Sequence, residues 1–193
     1  MTKIITYIGI LVLVVTAIVL GYTIIQQSAE QQSQPTVYKQ STQSTPSGII
    51  SDVNNTKTAV IKTEKGDITL TLYPTDAPKT VSNFIGKAKS GFYKNLTFHR
   101  VEDWVIQGGD PDGNGTGGGE MPTELNDKPF IIGSLGVAKG PDIKISNDAQ
   151  FFITKKDSPI LNGKYTNFGI VTNGMDVVKK IQIGDKILGI TAE

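Results

Sequence analysis

A closed, mainly β barrel capped by two helices and preceded by one membrane-spanning helix is the fold class this sequence predicts. Three observations predict it. No charged residue lies between Ile4 and Ile25. Residues 26 to about 55 are dominated by Gln, Ser and Thr. From Thr56 onward, short apolar runs alternate with Gly-rich turns, and only two stretches carry helical spacing.

The uncharged span of about 22 residues, rising roughly 1.5 Å per residue as a helix, matches a hydrocarbon core about 30 Å thick. It predicts an uncleaved anchor over residues 1–25. A cleaved signal is the alternative, but its apolar region is normally shorter, and Gln27 stands two residues before Ala29 where a processing site needs small side chains. A helix buried in a soluble core is the blander reading. Lys3 precedes the span and no basic residue follows until Lys39, so the positive-inside bias puts the N-terminus in the cytoplasm and everything after the span outside. The expected location is the cell membrane, single-pass, with an extracytoplasmic C-terminal domain.

Residues 26–55, with Pro35 and Pro46 and few large apolar side chains, cannot bury enough surface to offset the entropy of ordering and read as a flexible linker. The globular domain spans 56–193. Ala59-Val60-Ile61 and Ile68-Thr69-Leu70-Thr71-Leu72 flank Glu64-Lys65-Gly66-Asp67, which is the pattern of a hairpin. After Pro74, a helix is predicted from Pro78 in its first turn, through Val81, Phe84, Ile85 and Ala88 on one face, to Gly91 at its end. Apolar runs at 96–101, 104–106, 130–137, 150–154 and 168–171 predict strands. A second helix falls near Met175 to Ile181.

Composition excludes several classes of function. With 193 residues, the chain holds one ordinary domain plus accessory sequence. Its formal charge of +1 and the lack of basic clusters interleaved with aromatics exclude a nucleic-acid partner. There is no Cys and a single His, so thiol chemistry and a His-based metal site are excluded. Gly113-x-Gly115-x-x-Gly118 fits a dinucleotide fingerprint only formally, because Pro122 stands where the following helix belongs. Asp110, Asp112, Asn114 and Gly115 begin a calcium-loop pattern, but its twelfth position is Met121 and Glu120 comes one residue early. No Gly-Lys-Ser or Gly-Lys-Thr ends the glycine run. The glycines are better explained as turns and as close packing beside a peptide groove.

Four blocks carry a more specific message. They are Phe98-His99-Arg100-Val101 with Trp104-Val105-Ile106-Gln107-Gly108-Gly109-Asp110, then Asn114-Gly115-Thr116-Gly117-Gly118, Ala149-Gln150-Phe151-Phe152-Ile153, and Leu161-Asn162-Gly163-Lys164-Tyr165-Thr166-Asn167-Phe168-Gly169. In this order they resemble the cyclophilins, which are peptidyl-prolyl cis-trans isomerases. The resemblance covers most of 56–193 and none of the first 55 residues. It implies an eight-stranded antiparallel barrel, isomerisation of X-Pro bonds without a cofactor or metal, and proline-containing unfolded or extended polypeptides as partners of a monomer.

Rotation about a peptide bond faces a barrier of roughly 18–20 kcal/mol, and at X-Pro both isomers are populated in unfolded chains. In the twisted transition state the proline nitrogen regains its lone pair, so a fixed donor binds that state better than the planar one. By resemblance the donor is Arg100, with Gln107 and Phe152 as its catalytic companions. Trp104, Val105, Phe152 and Leu161 match the positions that build the proline pocket. Strand alternation allows only one of Phe151 and Phe152 to face it, and the resemblance selects Phe152. Gln107 and Gln150 match positions that bond the substrate backbone. Ala138 and Lys139 match the segment along which the peptide lies, Tyr165 walls the pocket, and Thr116 in the second block falls on the substrate side. His99 adjoins the site and is counted with the substrate-side residues, with a structural role as the blander reading, since rotation needs no proton transfer.

This chain departs from the family at four points. The spacing from Arg100 to Gln107 is one residue short, which bears on how Trp104 is turned. Ile160 stands where many members carry the Trp associated with cyclosporin, so cyclosporin binding is expected to be weak. Lys139 replaces the common Asn or Arg, and the segment after Ile183 is short enough to predict a brief last strand. A non-catalytic proline-segment binding module, or chaperone, is the rival functional reading.

Overall fold

The structure, a computed structural model, describes residues 56–193, so the predicted anchor and linker lie outside the described residues. Among the described residues no helix is long and apolar enough to cross a membrane. Strands β1 (Lys57–Thr63) and β2 (Gly66–Leu72) form the expected hairpin, paired from Lys57–Leu72 to Thr63–Gly66. Alternation buries Ala59 and Ile61 on one strand and Ile68, Leu70 and Leu72 on the other. Helix α1 (Pro78–Lys89) starts on its proline and buries Val81, Phe84 and Ala88, with Ile85 partly covered. Its open N-terminal N–H groups at Lys79 and Thr80 donate to the distant Glu124 carboxylate at 3.0 and 2.8 Å, a cap that local sequence does not announce.

The chain continues through β3 (Phe98–Val101), β4 (Val105–Gly108), β5 (Glu120–Pro122), β6 (Ser134–Val137), β7 (Ile145–Asn147) and β8 (Phe151–Thr154). A single 3-10 turn (Pro159–Leu161) leads to β9 (Asn167–Asn173), α2 (Met175–Lys180) and β10 (Ile187–Ala192). The main sheet has eight strands in the order β10-β1-β2-β9-β6-β8-β4-β3, with every adjacent pair antiparallel, while β5 and β7 pair separately.

Two expectations are corrected. The barrel is not closed: the sheet curls into a half-barrel whose end strands, β3 and β10, share no ladder. Their approaches meet only at the isolated bridge Thr97–Lys186 and through loop hydrogen bonds such as Phe98 N–H to Asp185 O at 3.0 Å. Counting apolar runs cannot reveal whether the first and last strands meet over their length. Nor is the last strand brief. β10 has six residues and pairs with β1 from Ala59–Ala192 to Thr63–Ile187.

The sheet packs two apolar clusters on opposite sides. The larger gathers Ile61, Ile68, Leu70, Ile106, Leu135 and Ile153 around an aromatic knot. There Phe84 meets Phe151 and Phe168 with ring centroids 5.7 and 5.3 Å apart, in edge-on geometry. The smaller consists of Val105, Phe130, Phe152 and Leu161, with Trp104 and Tyr165 packed against it. Phe151 and Phe152 are consecutive on β8 and therefore belong to different clusters.

Candidate active site

A hairpin irregularity decides which way Arg100 points. Buried Phe98 pairs with Gly108 on the core face, and simple alternation would send Arg100 to the same side. The register instead slips between Phe98 and Arg100, leaving His99 as the extra residue and setting Arg100 opposite Gln107. Across the next strand Gln107 lies opposite Phe152, and Phe152 lies opposite Gly136. Directly paired residues of a sheet share a face. Arg100, Gln107 and Phe152 thus form one row over β3, β4 and β8, on the side away from the main core.

The row ends at Gly136, where the Phe152 ring lies flat over the backbone. A Cβ there would fall 2.2 Å from Phe152 Cζ. Phe130 stacks on Phe152 at 5.7 Å and Tyr165 meets it edge-on at 5.7 Å, so the ring is held from both sides. The result is an open cavity of about 360 Å³.

Ten of the predicted site residues line this cavity: His99, Arg100, Trp104, Val105, Gln107, Ala138, Lys139, Phe152, Leu161 and Tyr165. Two do not. Gln150 is buried behind Gln107, and its amide donates inward to Gly115 O and Gly117 O at 3.1 and 2.8 Å. It also lines a smaller depression of about 150 Å³ shared with Gln107, Gly115, Ala138 and Lys139. Thr116 lies further along, in a third depression of about 270 Å³ between Gly118 and Pro141. Sequence reasoning assigned no role to Asn114, Gly115 or Gly136. The first two line the main cavity and stand inside the glycine-rich block, which was their available signal.

Polar groups fix the row in place. Arg100 Nη1 donates to Gln107 Oε1 at 3.2 Å, Gln107 Nε2 donates to Gln150 Oε1 at 2.9 Å, and Gln150 passes the chain to the loop carbonyls. Each amide uses both of its ends. On the other side Arg100 Nε donates to Glu102 Oε1 at 2.7 Å, and Trp104 Nε1 donates to Glu102 Oε2 at 2.8 Å. The guanidinium sits 5.4 Å from the Trp104 ring, and Lys139 Nζ sits 4.9 Å from that of Tyr165. The Arg100 hydrogen bond holds the Glu102 carboxyl below the usual carboxylate range.

Behind the rim, burial pushes the Asp110 carboxyl up. Hydrogen bonds from the Asp112 and Gly115 N–H groups, with nearby His99, outweigh it and hold the group below its ordinary value. These loop bonds occupy the carboxylate that began the calcium-like pattern. Both ring nitrogens of His99 are buried and have no hydrogen-bond partner among the described residues. Burial lowers its pKa, Asp110 opposes that and Arg100 adds to the lowering, so the site favours the neutral imidazole. Among the described residues no group of three or more His, Asp or Glu is placed to hold a metal ion. What the arrangement offers is an apolar slot closed by a ring at its floor and a fixed guanidinium at its lip.

The curled sheet and this row define a cyclophilin-type isomerase domain. Residues 58–188 match the family described as cyclophilin type peptidyl-prolyl cis-trans isomerase/CLD, and the chain belongs to that family. It is 41% identical over 137 residues to the peptidyl-prolyl cis-trans isomerase of Synechococcus elongatus, covering 68% of this chain and 93% of that protein. With peptidyl-prolyl cis-trans isomerase cypE of Dictyostelium discoideum it shares 44% identity over 135 residues, 65% of this chain and 84% of the relative. Other relatives are much longer: the chain spans 22% of peptidyl-prolyl cis-trans isomerase 9 of Schizosaccharomyces pombe. A crystal structure of a Cryptosporidium parvum cyclophilin type isomerase, determined in the presence of the dipeptide Ala-Pro, superposes with a TM-score of 0.65 at 30% identity. That match covers 70% of this chain and 98% of the other.

Proposed function

We propose that this chain isomerises X-Pro bonds in extended segments of secreted or cell-envelope polypeptides, with Arg100 as the donor that favours the twisted bond. The observation that carries the reading is the row Arg100–Gln107–Phe152, which sets a guanidinium beside an apolar slot on one face of the sheet. The proline ring enters against Phe152, Val105 and Leu161, and the developing lone pair meets the Arg100 Nη hydrogens. A bond about 3–4 kcal/mol stronger in the transition state gives on the order of 10²–10³ in rate. The Ala-Pro dipeptide of the Cryptosporidium protein supports a proline-containing ligand.

In this reading residues 1–25 anchor the protein in the membrane, residues 26–55 tether the monomeric domain, and the domain works outside the cytoplasm. Ile160 is 72% exposed and offers no indole, so cyclosporin binds weakly. A submicromolar affinity by calorimetry would contradict this.

One observation favours the rival reading of a non-catalytic binding module: the Arg100-to-Gln107 spacing is one residue short of the family's, leaving three residues between β3 and β4. Exchange spectroscopy on a short X-Pro peptide with the full-length chain decides between them. Fast exchange that drops about 10²–10³-fold in a folded Arg100→Ala variant supports catalysis. Peptide binding without acceleration by the unaltered chain supports the module.

A further inference from the structure

Three residues, Glu102, Asp103 and Trp104, connect β3 to β4, and this short connection is what brings a carboxylate beside the site arginine. The Glu102 N–H donates to Val105 O at 2.9 Å, so the hairpin itself fixes the residue that carries the carboxylate. Its two oxygens are divided between two donors, Arg100 Nε at 2.7 Å and Trp104 Nε1 at 2.8 Å. Gln107 takes Arg100 Nη1 from the opposite side at 3.2 Å. A planar guanidinium that donates from both Nε and Nη1 is restrained from turning about its long stem, and among the described residues no hydrogen bond occupies Nη2.

We propose that Glu102 is a positioning residue for isomerisation: a two-oxygen brace that locks the Arg100 guanidinium against the Trp104 wall of the proline pocket. The inference rests on the reading of Arg100 as the donor. Without the brace, Arg100 samples rotamers that leave the slot, and the fraction of bound peptides meeting a correctly placed donor falls. Affinity for the peptide changes little, because the side chains of Phe152, Val105 and Leu161, against which the proline ring enters, are left in place. Gln in place of Glu102 offers one uncharged acceptor oxygen where Glu102 offers two, so Arg100 and Trp104 no longer each have an oxygen of their own.

Trp104 is the single tryptophan of the chain, so its emission reports the brace directly. Glu102→Ala and Glu102→Gln in the full-length chain are compared with the unaltered chain by exchange kinetics and by fluorescence. The expected result for Glu102→Ala is a kcat lower by about tenfold, a KM within about twofold, and a shifted Trp104 emission; Glu102→Gln falls between. A kcat within twofold of the unaltered chain in Glu102→Ala overturns the brace, as does an emission unchanged in both variants. An unaltered chain that binds peptide without accelerating exchange overturns the Arg100 reading instead.

Discussion

Phe151 and Phe152 are the same type of residue, adjacent in sequence and both almost fully buried, yet they belong to different clusters. Phe151 is enclosed by Phe84, Tyr93 and Phe98 in the main core. Phe152 is flanked by Phe130 and Tyr165, lies over Gly136, and leaves one side to an open cavity. Burial alone does not separate a residue enclosed in the core from one that lines a cavity. The empty volume beside it does.

Truncating each ring tests the contrast most strongly. Phe151→Ala is expected to lose about 5 kcal/mol in urea unfolding while the remaining folded molecules keep their exchange activity. Phe152→Ala is expected to lose about 3 kcal/mol or less, because its ring already borders space, and to abolish exchange. Equal stability losses with activity retained in both would break the comparison. Next in size is Gly136→Ala. Its methyl falls within 2.2 to 2.7 Å of the Phe152 ring, so the ring must leave its seat at a cost of about 1–3 kcal/mol, with weakened peptide binding by calorimetry. Unchanged peptide affinity would show that the seat under Phe152 does not shape the slot.

The smallest effect concerns pH. His99 is the only histidine, and burial favours its neutral form in the folded state. Its folded pKa lies below the ordinary 6.5, so the unfolded chain binds the extra proton first. The stability it contributes is fully present above that value and declines as the pH falls through 6.5 toward the lower folded pKa. Titration of the imidazole resonances is expected to give a midpoint below 6.5, and a higher one would mean that Asp110 dominates instead of burial.

Much of the domain was legible because its signals are local. The Glu64-Lys65 hairpin, the face of Val81, Phe84 and Ala88, and the choice of one ring from a Phe-Phe pair all follow from periodicity or from short motifs. What escaped depends on pairing. The slip at His99 that turns Arg100 outward is a property of two strands in register, and Gly136 matters only because Phe152 lies on it from the next strand. Glu124 caps a helix from across the domain, and β5 and β7 are three-residue strands too short to show a period. The closed barrel was expected from the number of apolar runs, and a count carries no information about where the first and last strands end.

The unsealed seam between β3 and β10 bears on how the domain survives its own partners. A strand at a sheet margin offers unpaired N–H and C=O groups to any passing extended chain, and edge-to-edge accretion is the usual penalty. Here the two margins face each other across the connecting loops. Asn95 N–H bonds Ile187 O at 2.8 Å, Ile187 N–H bonds Leu96 O at 2.8 Å, and Gly184 N–H bonds Phe98 O at 3.0 Å. Backbone groups where the two margins approach are thereby spent on one another. If the domain acts on extended chains as proposed, these mutual bonds leave fewer backbone groups where the two margins meet for a bound segment to pair with as a ninth strand.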